Sequence, residues 1–317
     1  MVTHPMHRSP ARNLLPAVVL VLSLAGCNCG GGPSDPDGGE LDDAGVTTDA
    51  GAPASVDGTA LGHWIELALP DAPWGRPVPF VGFVYLDPQA GLSAKGGPAD
   101  QPDAPPSLTV RLPIGVPGRV LTAAERGARP AIPAWVEHYG PQPPTDARWR
   151  TDRWLRGRWH KQFPDDVQVL VHDGEPRRTG RQPEGCWVRV DATEPSPPRP
   201  TVDAAGAPVA RGDVVYVGTL LNQPRHLATV GQGERVRVVP DPGGRHPLMV
   251  TEAYLAERAA WTVTPCPRCG LAEGLDPPSV MAATRFPGLA DPVEAFTAHC
   301  PVCGPPSALT FTRARTG

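Results

Sequence analysis

The chain has no excess of positive charge, no internal repeat and none of the short motifs that mark the common catalysts. A formal net charge of -4 over 317 residues gives no global basic field of the kind that gathers nucleic acid. The lack of a repeat removes stacked-repeat architectures. No Gly-x-Ser-x-Gly, His-Glu-x-x-His or phosphate-cradling glycine loop occurs, so no catalytic spacing is recognised. Beyond residue 25 no apolar run is long enough for a membrane-spanning helix, which needs about 20 residues. Residues 28–59 hold almost no large apolar side chains and cannot bury enough surface to offset ordering entropy. What the chain has in quantity is proline and glycine, 43 and 35 residues, about a quarter of the total and the mark of long loops.

The N-terminus carries an address. His4, His7, Arg8 and Arg12 precede an apolar stretch, Leu14 to Ala25, that is too short to span a bilayer of about 30 Å. It ends in Leu24-Ala25-Gly26-Cys27. This pattern resembles a bacterial lipoprotein signal. The resemblance implies removal of residues 1–26 and a lipid (palmitate-type acyl chains) on Cys27, with membrane as a partner. It also implies a place in the cell envelope, at the outer membrane facing periplasm or exterior. An ordinary secretory signal cut elsewhere is the alternative. Acyl chains contribute about 0.8 kcal/mol per buried CH₂, so several on one cysteine give durable anchoring. Residues 27–59, acidic through Asp35, Asp37, Glu40, Asp42, Asp43, Asp49 and Asp57, read as a disordered Gly/Pro/Ala tether. As a flexible coil it would reach about 30 Å root-mean-square.

Downstream the expected class is α+β: small antiparallel sheets, a few short helices, long Pro/Gly-rich loops and a C-terminal zinc-ribbon-like module. Residues 60–145 form a proline-rich β region, with period-two alternation at Ile65, Leu67 and Leu69 and at Leu108, Val110 and Leu112, and a continuous apolar run from Phe80 to Leu86. Residues 87–107 read as a surface loop with nothing to bury. Residues 146–163 interleave Trp149, Trp154 and Trp159 with six basic residues. Five-residue spacing turns each Trp by about 140° on a helix, so the three cannot share a face. Leu155, Trp159 and Phe163 can, which favours a packed helix with a solvated arginine face, stopped by Pro164, over a nucleic-acid or lipid patch.

Residues 146–262 contain the cleanest alternation: Val167, Val169 and Val171; Cys186, Val188 and Val190; Val214 to Leu221; Val236 and Val238. Four strands imply an antiparallel sheet, with a Thr251-capped helix from Glu252 to about Ala260 covering one face. Glu184-x-x-Trp187-Val188-x-Val190, Gly218-x-Leu220-x-Asn222-x-Pro224 and Gly233-x-x-Val236-x-Val238 resemble the bacterial domain of unknown function 2314, over about residues 160–262. That resemblance implies a fold and no activity. Asn222, Pro224, His226 and His246 lie at loop ends and form a possible binding loop. Cys186, on an apolar face, reads as a buried inert thiol.

The strongest chemical signal is a duplicated motif in residues 263–317, Cys266-Pro267-Arg268-Cys269-Gly270 and Cys300-Pro301-Val302-Cys303-Gly304. It resembles a zinc ribbon, in which each C-x-x-C turn supplies two thiolates to one tetrahedral ion. Four ligands close the shell, so the metal would be structural and His299 would not be a ligand. An exported location also admits two disulfides from the same cysteines. Residues 276–297, with Met281, Phe286, Leu289, Val293 and Phe296, read as an insertion packed beside the ribbon. The function expected is a membrane-tethered, noncatalytic binding or structural module whose protein or small-molecule partner is open and for which nucleic acid is disfavoured. The alternative is a hydrolase-like enzyme using His226 and His246.

Overall fold

The computed structural model describes residues 56–314 apart from 153–154, 156–157, 175, 197–213, 242–245 and 289–291. Cys27, the signal-like segment and the tract to residue 55 lie outside the described residues. So do Trp154 and Leu289. Val56 is buried, and Asp57 caps a short 3₁₀ turn over Gly58–Ala60. No helix among the described residues is long and apolar enough to cross a membrane.

Alternating apolar side chains build three sheets. The first holds β1 (Trp64–Leu67), β2 (Phe80–Asp87), β3 (Gly91–Pro98), β4 (Leu108–Arg111) and β5 (Gly118–Val120), in the order β4-β3-β2-β1-β5. One face buries Ile65, Leu67, Phe80, Val84, Leu92 and Ala94. Phe83 and Tyr85, on the other face, pack under Val136 and Trp135 of a 3₁₀ turn. The surface loop expected over residues 87–107 is corrected, because Gly91–Pro98 is a strand paired on both edges. Its small residues are what the position requires. A Cβ at Gly96 would stand 1.9 Å from the Val81 carbonyl oxygen, so only glycine lets the strands approach.

A capping box at Thr122 starts α1 (Ala123–Arg126). The helix expected through residues 146–163 is also corrected: α2 (Arg148–Thr151) is a single turn. Arg150 is buried rather than solvated, its guanidinium 2.8 Å from the Asp165 carboxylate, and the Trp149 indole N–H donates to that same carboxylate at 2.7 Å. One carboxylate satisfying two buried donors outweighs the periodicity that favoured a longer helix. Trp159 instead forms a β-bridge to Val167.

The second sheet is β6 (Asp166–Val171), β7 (Glu184–Pro195), β8 (Val214–Leu220), β9 (Arg235–Val239) and β10 (Leu248–Val250), with α3 (Pro176–Thr179) between β6 and β7. The expected open four-stranded sheet is here a closed five-stranded barrel. Consecutive strands pair antiparallel, and β10 closes the ring by a short parallel pairing of Leu248 with Leu170. Val167, Val169, Val171, Cys186, Val188, Val190, Val236 and Val238 belong to its core. Thr251 caps α4 (Glu252–Arg258) as expected, its hydroxyl accepting from the Tyr254 N–H. The helix does not simply cover a sheet face. Tyr254 joins barrel residues Val215, Val239 and Leu248 to the C-terminal sheet in one core. That third sheet, in the order β11-β13-β12, consists of β11 (Trp261–Thr264), β12 (Ala295–His299) and β13 (Ala308–Arg313), with α5 (Pro278–Arg285) inserted. Within the expected insertion Met281 is buried, Phe286 is exposed, and Phe296 belongs to the sheet, stacked on Phe311.

His172, at the end of β6, makes the barrel acid-sensitive. One ring nitrogen, Nε2, lies 2.8 Å from the Met249 carbonyl oxygen, and Nδ1 accepts the Gly174 N–H at 3.1 Å, so the ring is neutral. Burial holds its pKa below the ordinary 6.5, against the Met249 carbonyl and Asp173, which pull it up. The unfolded chain therefore takes up the proton first. The stabilisation is complete above about pH 6.5 and is lost as pH falls toward the folded value. Relative to His172→Gln, wild type is expected to lose up to about 1.4 kcal/mol per pH unit below that point. Urea melts of both proteins at pH 7.5 and 5.5 measure it, and parallel slopes would refute it.

Candidate metal centre

β11 and β12 both run antiparallel to β13. They therefore point the same way and deliver their C-terminal ends, Thr264 and His299, to one end of the sheet. Each end runs into a Cys-x-x-Cys turn, and the two turns are built alike. Cys266 N–H donates to the Leu271 carbonyl and Gly270 N–H to the Cys266 carbonyl, both at 2.8 Å; Cys300 N–H donates to the Ser307 carbonyl at 2.8 Å and Gly304 N–H to the Cys300 carbonyl at 2.9 Å. Gly270 and Gly304 have φ of 71° and 66°, the left-handed region that glycine enters without steric cost. The duplicated motif is a duplicated backbone.

The four Sγ atoms of Cys266, Cys269, Cys300 and Cys303 lie within 4.8 Å of one another, and this set could hold a metal ion. Cys269 and Cys300 Sγ are 3.6 Å apart. Thiolates at about 2.3 Å from a tetrahedral ion stand about 3.8 Å from each other, whereas a disulfide needs about 2.05 Å. All four cysteines are free, so no disulfide is formed among the described residues. Cys266 and Cys300 are buried, and Cys269 and Cys303 half-buried. Burial drives the Cys300 and Cys269 thiols up; at Cys269 the neighbouring sulfurs of Cys303 and Cys300 add to it, while at Cys300 the N–H groups of Cys303 and Val302 oppose it. Burial acts the same way on Cys266, but the N–H groups of Cys269 and Arg268 outweigh it and bring that thiol down to about 7. His299 is exposed and outside the sulfur cluster.

The possible binding loop is a clasp. Asn222 Oδ1 accepts the Trp187 N–H at 2.7 Å, and the Glu184 carboxylate accepts the N–H groups of Arg225 at 2.8 Å and His226 at 2.7 Å. Burial pushes the Glu184 pKa up, but these N–H donors hold it below the usual carboxylate value. Pro224 is buried, and the His226 carbonyl takes an Arg181 N–H at 3.0 Å. A Cβ at Gly218 would meet the Arg189 carbonyl oxygen at 2.3 Å. The motif residues thus hold the β8–β9 connection against β7. His246 lies in a different segment, before β10, and five cavities among the described residues are lined by other side chains than Asn222, Pro224, His226 and His246. Cys186 is buried in the barrel, and burial raises its pKa, which suits an inert thiol.

Sequence reasoning missed a buried polar knot beside the centre. The Arg258 guanidinium meets the Glu273 carboxylate at 2.8 Å, with Tyr254 hydroxyl donating to that same carboxylate. Comparison of the chain with protein-family models, with curated proteins and with solved structures gave no match.

Proposed function

We propose that the chain is a lipid-tethered protein of the bacterial cell envelope, at the outer membrane, whose folded unit is a noncatalytic binding or structural module closed by a structural zinc. The observation that carries this reading is the sulfur cluster: four thiols on two matched turns, all within 4.8 Å of one another, a set that as four ligands would leave no open position for a reacting water. The zinc-ribbon likeness of the two motifs supports zinc as the ion, and the Leu24–Cys27 pattern supports the anchor. The likeness of residues 160–262 to the domain of unknown function 2314 supports a fold relationship alone. Nucleic acid is disfavoured because barrel arginines are spoken for: Arg189 pairs with Asp166 at 2.7 Å and Arg237 with Glu194 at 2.8 Å. The involvement of His226 backbone groups in the clasp gives the hydrolase reading no support.

Fractionation tests the tether. Wild type is expected to sediment with membranes and take up labelled palmitate, and Cys27→Ala to do neither. Equal sedimentation of both, with no label in wild type, would remove the anchor from this reading. Fewer than about 0.1 zinc per chain, with the four C-terminal thiols oxidised, would remove the metal.

A further inference from the structure

The β6–β7 connection, α5 and the second Cys-x-x-Cys turn line a half-open cleft of about 650 Å³, the size of a small-molecule site. Its accessible apolar lining comes from Val302 and Pro305, both exposed, and the half-buried Pro301, over a floor of Leu275, Met281 and Leu309 that is buried in the core. Its positive charge comes from Arg181 and Arg285. The paired arginines of the barrel are each answered by a carboxylate, but neither of these two makes an ion pair among the described residues. Among the described residues the Arg285 guanidinium, at the last turn of α5, donates no hydrogen bond either, and Arg181 spends one N–H on the His226 carbonyl. Among the described residues Asp276 is the one carboxylate in the lining, and it is buried.

An apolar lining under two guanidinium groups with donors to spare is complementary to one chemical class. Guanidinium N–H pairs bind a carboxylate in a fork, while an aliphatic body displaces water from valine and proline. We propose that this cleft binds an amphipathic organic anion, its carboxylate at Arg181 and Arg285 and its hydrocarbon body on Val302, Pro301 and Pro305. The proposal deepens the binding-module reading and rests on it, because the Cys300–Gly304 turn forms one wall and the metal would set that wall's shape.

Octanoate, octan-1-ol and octylammonium are three probes with one hydrocarbon body and different head groups. Titration calorimetry on the full chain carrying Cys27→Ala, with zinc and thiols counted on the same sample, is expected to give one octanoate site. Octanol and octylammonium should bind about tenfold or more weakly than octanoate, the loss of a charge-assisted contact. Arg285→Ala should weaken octanoate about tenfold and leave octanol unchanged, while Arg285→Lys recovers part of the loss. Arg285 is exposed, so its removal leaves the fold intact, which a melting curve verifies. Equal binding of octanoate and octanol, or octanoate binding indifferent to Arg285→Ala, overturns the proposal. Selective octanoate binding by zinc-free protein upholds the cavity and refutes the metal; zinc-loaded protein that does not bind octanoate refutes the cavity alone.

Discussion

Chain purified without added metal is expected to carry one zinc, and stripping it with a chelator is expected to unfold the C-terminal sheet. The size of the effect follows from comparing two energies. A structural zinc contributes on the order of 10 kcal/mol, and an entire domain is stable by about 5–15 kcal/mol. Without the ion nothing joins one turn to the other through sulfur, because thiols packed as closely as Cys269 and Cys300 resist joint ionisation unless a cation sits among them. The damage should spread along the shared core. Cys266 and Cys300 belong to the same cluster as Tyr254, Val215 and Val239, so α4 and one side of the barrel lose their support as well. The core beneath β1–β4 is a separate cluster and should persist. Chelation should therefore erase part of the circular dichroism signal, and Cys303→Ser should mimic it without chelator. Cys186→Ala, in the barrel core, should cost on the order of 1 kcal/mol and keep its zinc. Disulfides predict the reverse sensitivity, with stability falling under reductant by about 2–4 kcal/mol per bridge and unmoved by chelator. Melting curves in the presence of each reagent separate the two.

Features encoded within a few residues were legible in the sequence; those encoded across the fold were not. Two Cys-x-x-Cys-Gly motifs announce their geometry because each turn is closed by its own backbone, and Thr251 announces a helix because its partner is three residues away. The barrel strands were readable from period two, but closure depends on one parallel pairing, Leu248 with Leu170, that leaves no local trace. β3 was hidden for the opposite reason. Its glycines, alanine and serine look like a loop, and their need is visible only when Val81 is seen pressed against Gly96. The helix misplaced over residues 146–163 failed because Asp165 captures Arg150 from fifteen residues away, which periodicity does not register. The setting of His226 was hidden in the same way. The partner of the His226 segment is Glu184, forty-two residues earlier, and its role is to hold a turn.

The second large effect is expected at Arg258 and Glu273, which are 2% and 0% exposed. Taking two charges out of water costs several kcal/mol each, and they persist because each completes the other's hydrogen bonds. Burial alone would lower the Arg258 pKa, and the Glu273 charge reverses that. The knot joins three elements: Arg258 ends α4, Glu273 follows the first cysteine turn, and Arg258 Nη1 reaches Ser196 Oγ beyond β7 at 3.2 Å. Tyr254 hydroxyl, besides donating to Glu273, accepts the Gly274 N–H at 3.1 Å. Removing one charge strands the other, so Glu273→Leu or Arg258→Met should each cost about 3–5 kcal/mol in urea unfolding. Glu273→Gln should cost less, because its amide still accepts the Tyr254 proton. The joint replacement Arg258→Met with Glu273→Leu should recover most of the loss, since an apolar pair of similar volume avoids the desolvation cost. If the two single losses simply add in the double variant, the residues are not acting as a pair and the assignment fails. Because the knot anchors the segment leaving Cys269, Glu273→Leu should also release zinc to a chromogenic chelator faster than wild type. A purely local loss of packing would lower stability at this site and leave the release rate of native protein unchanged.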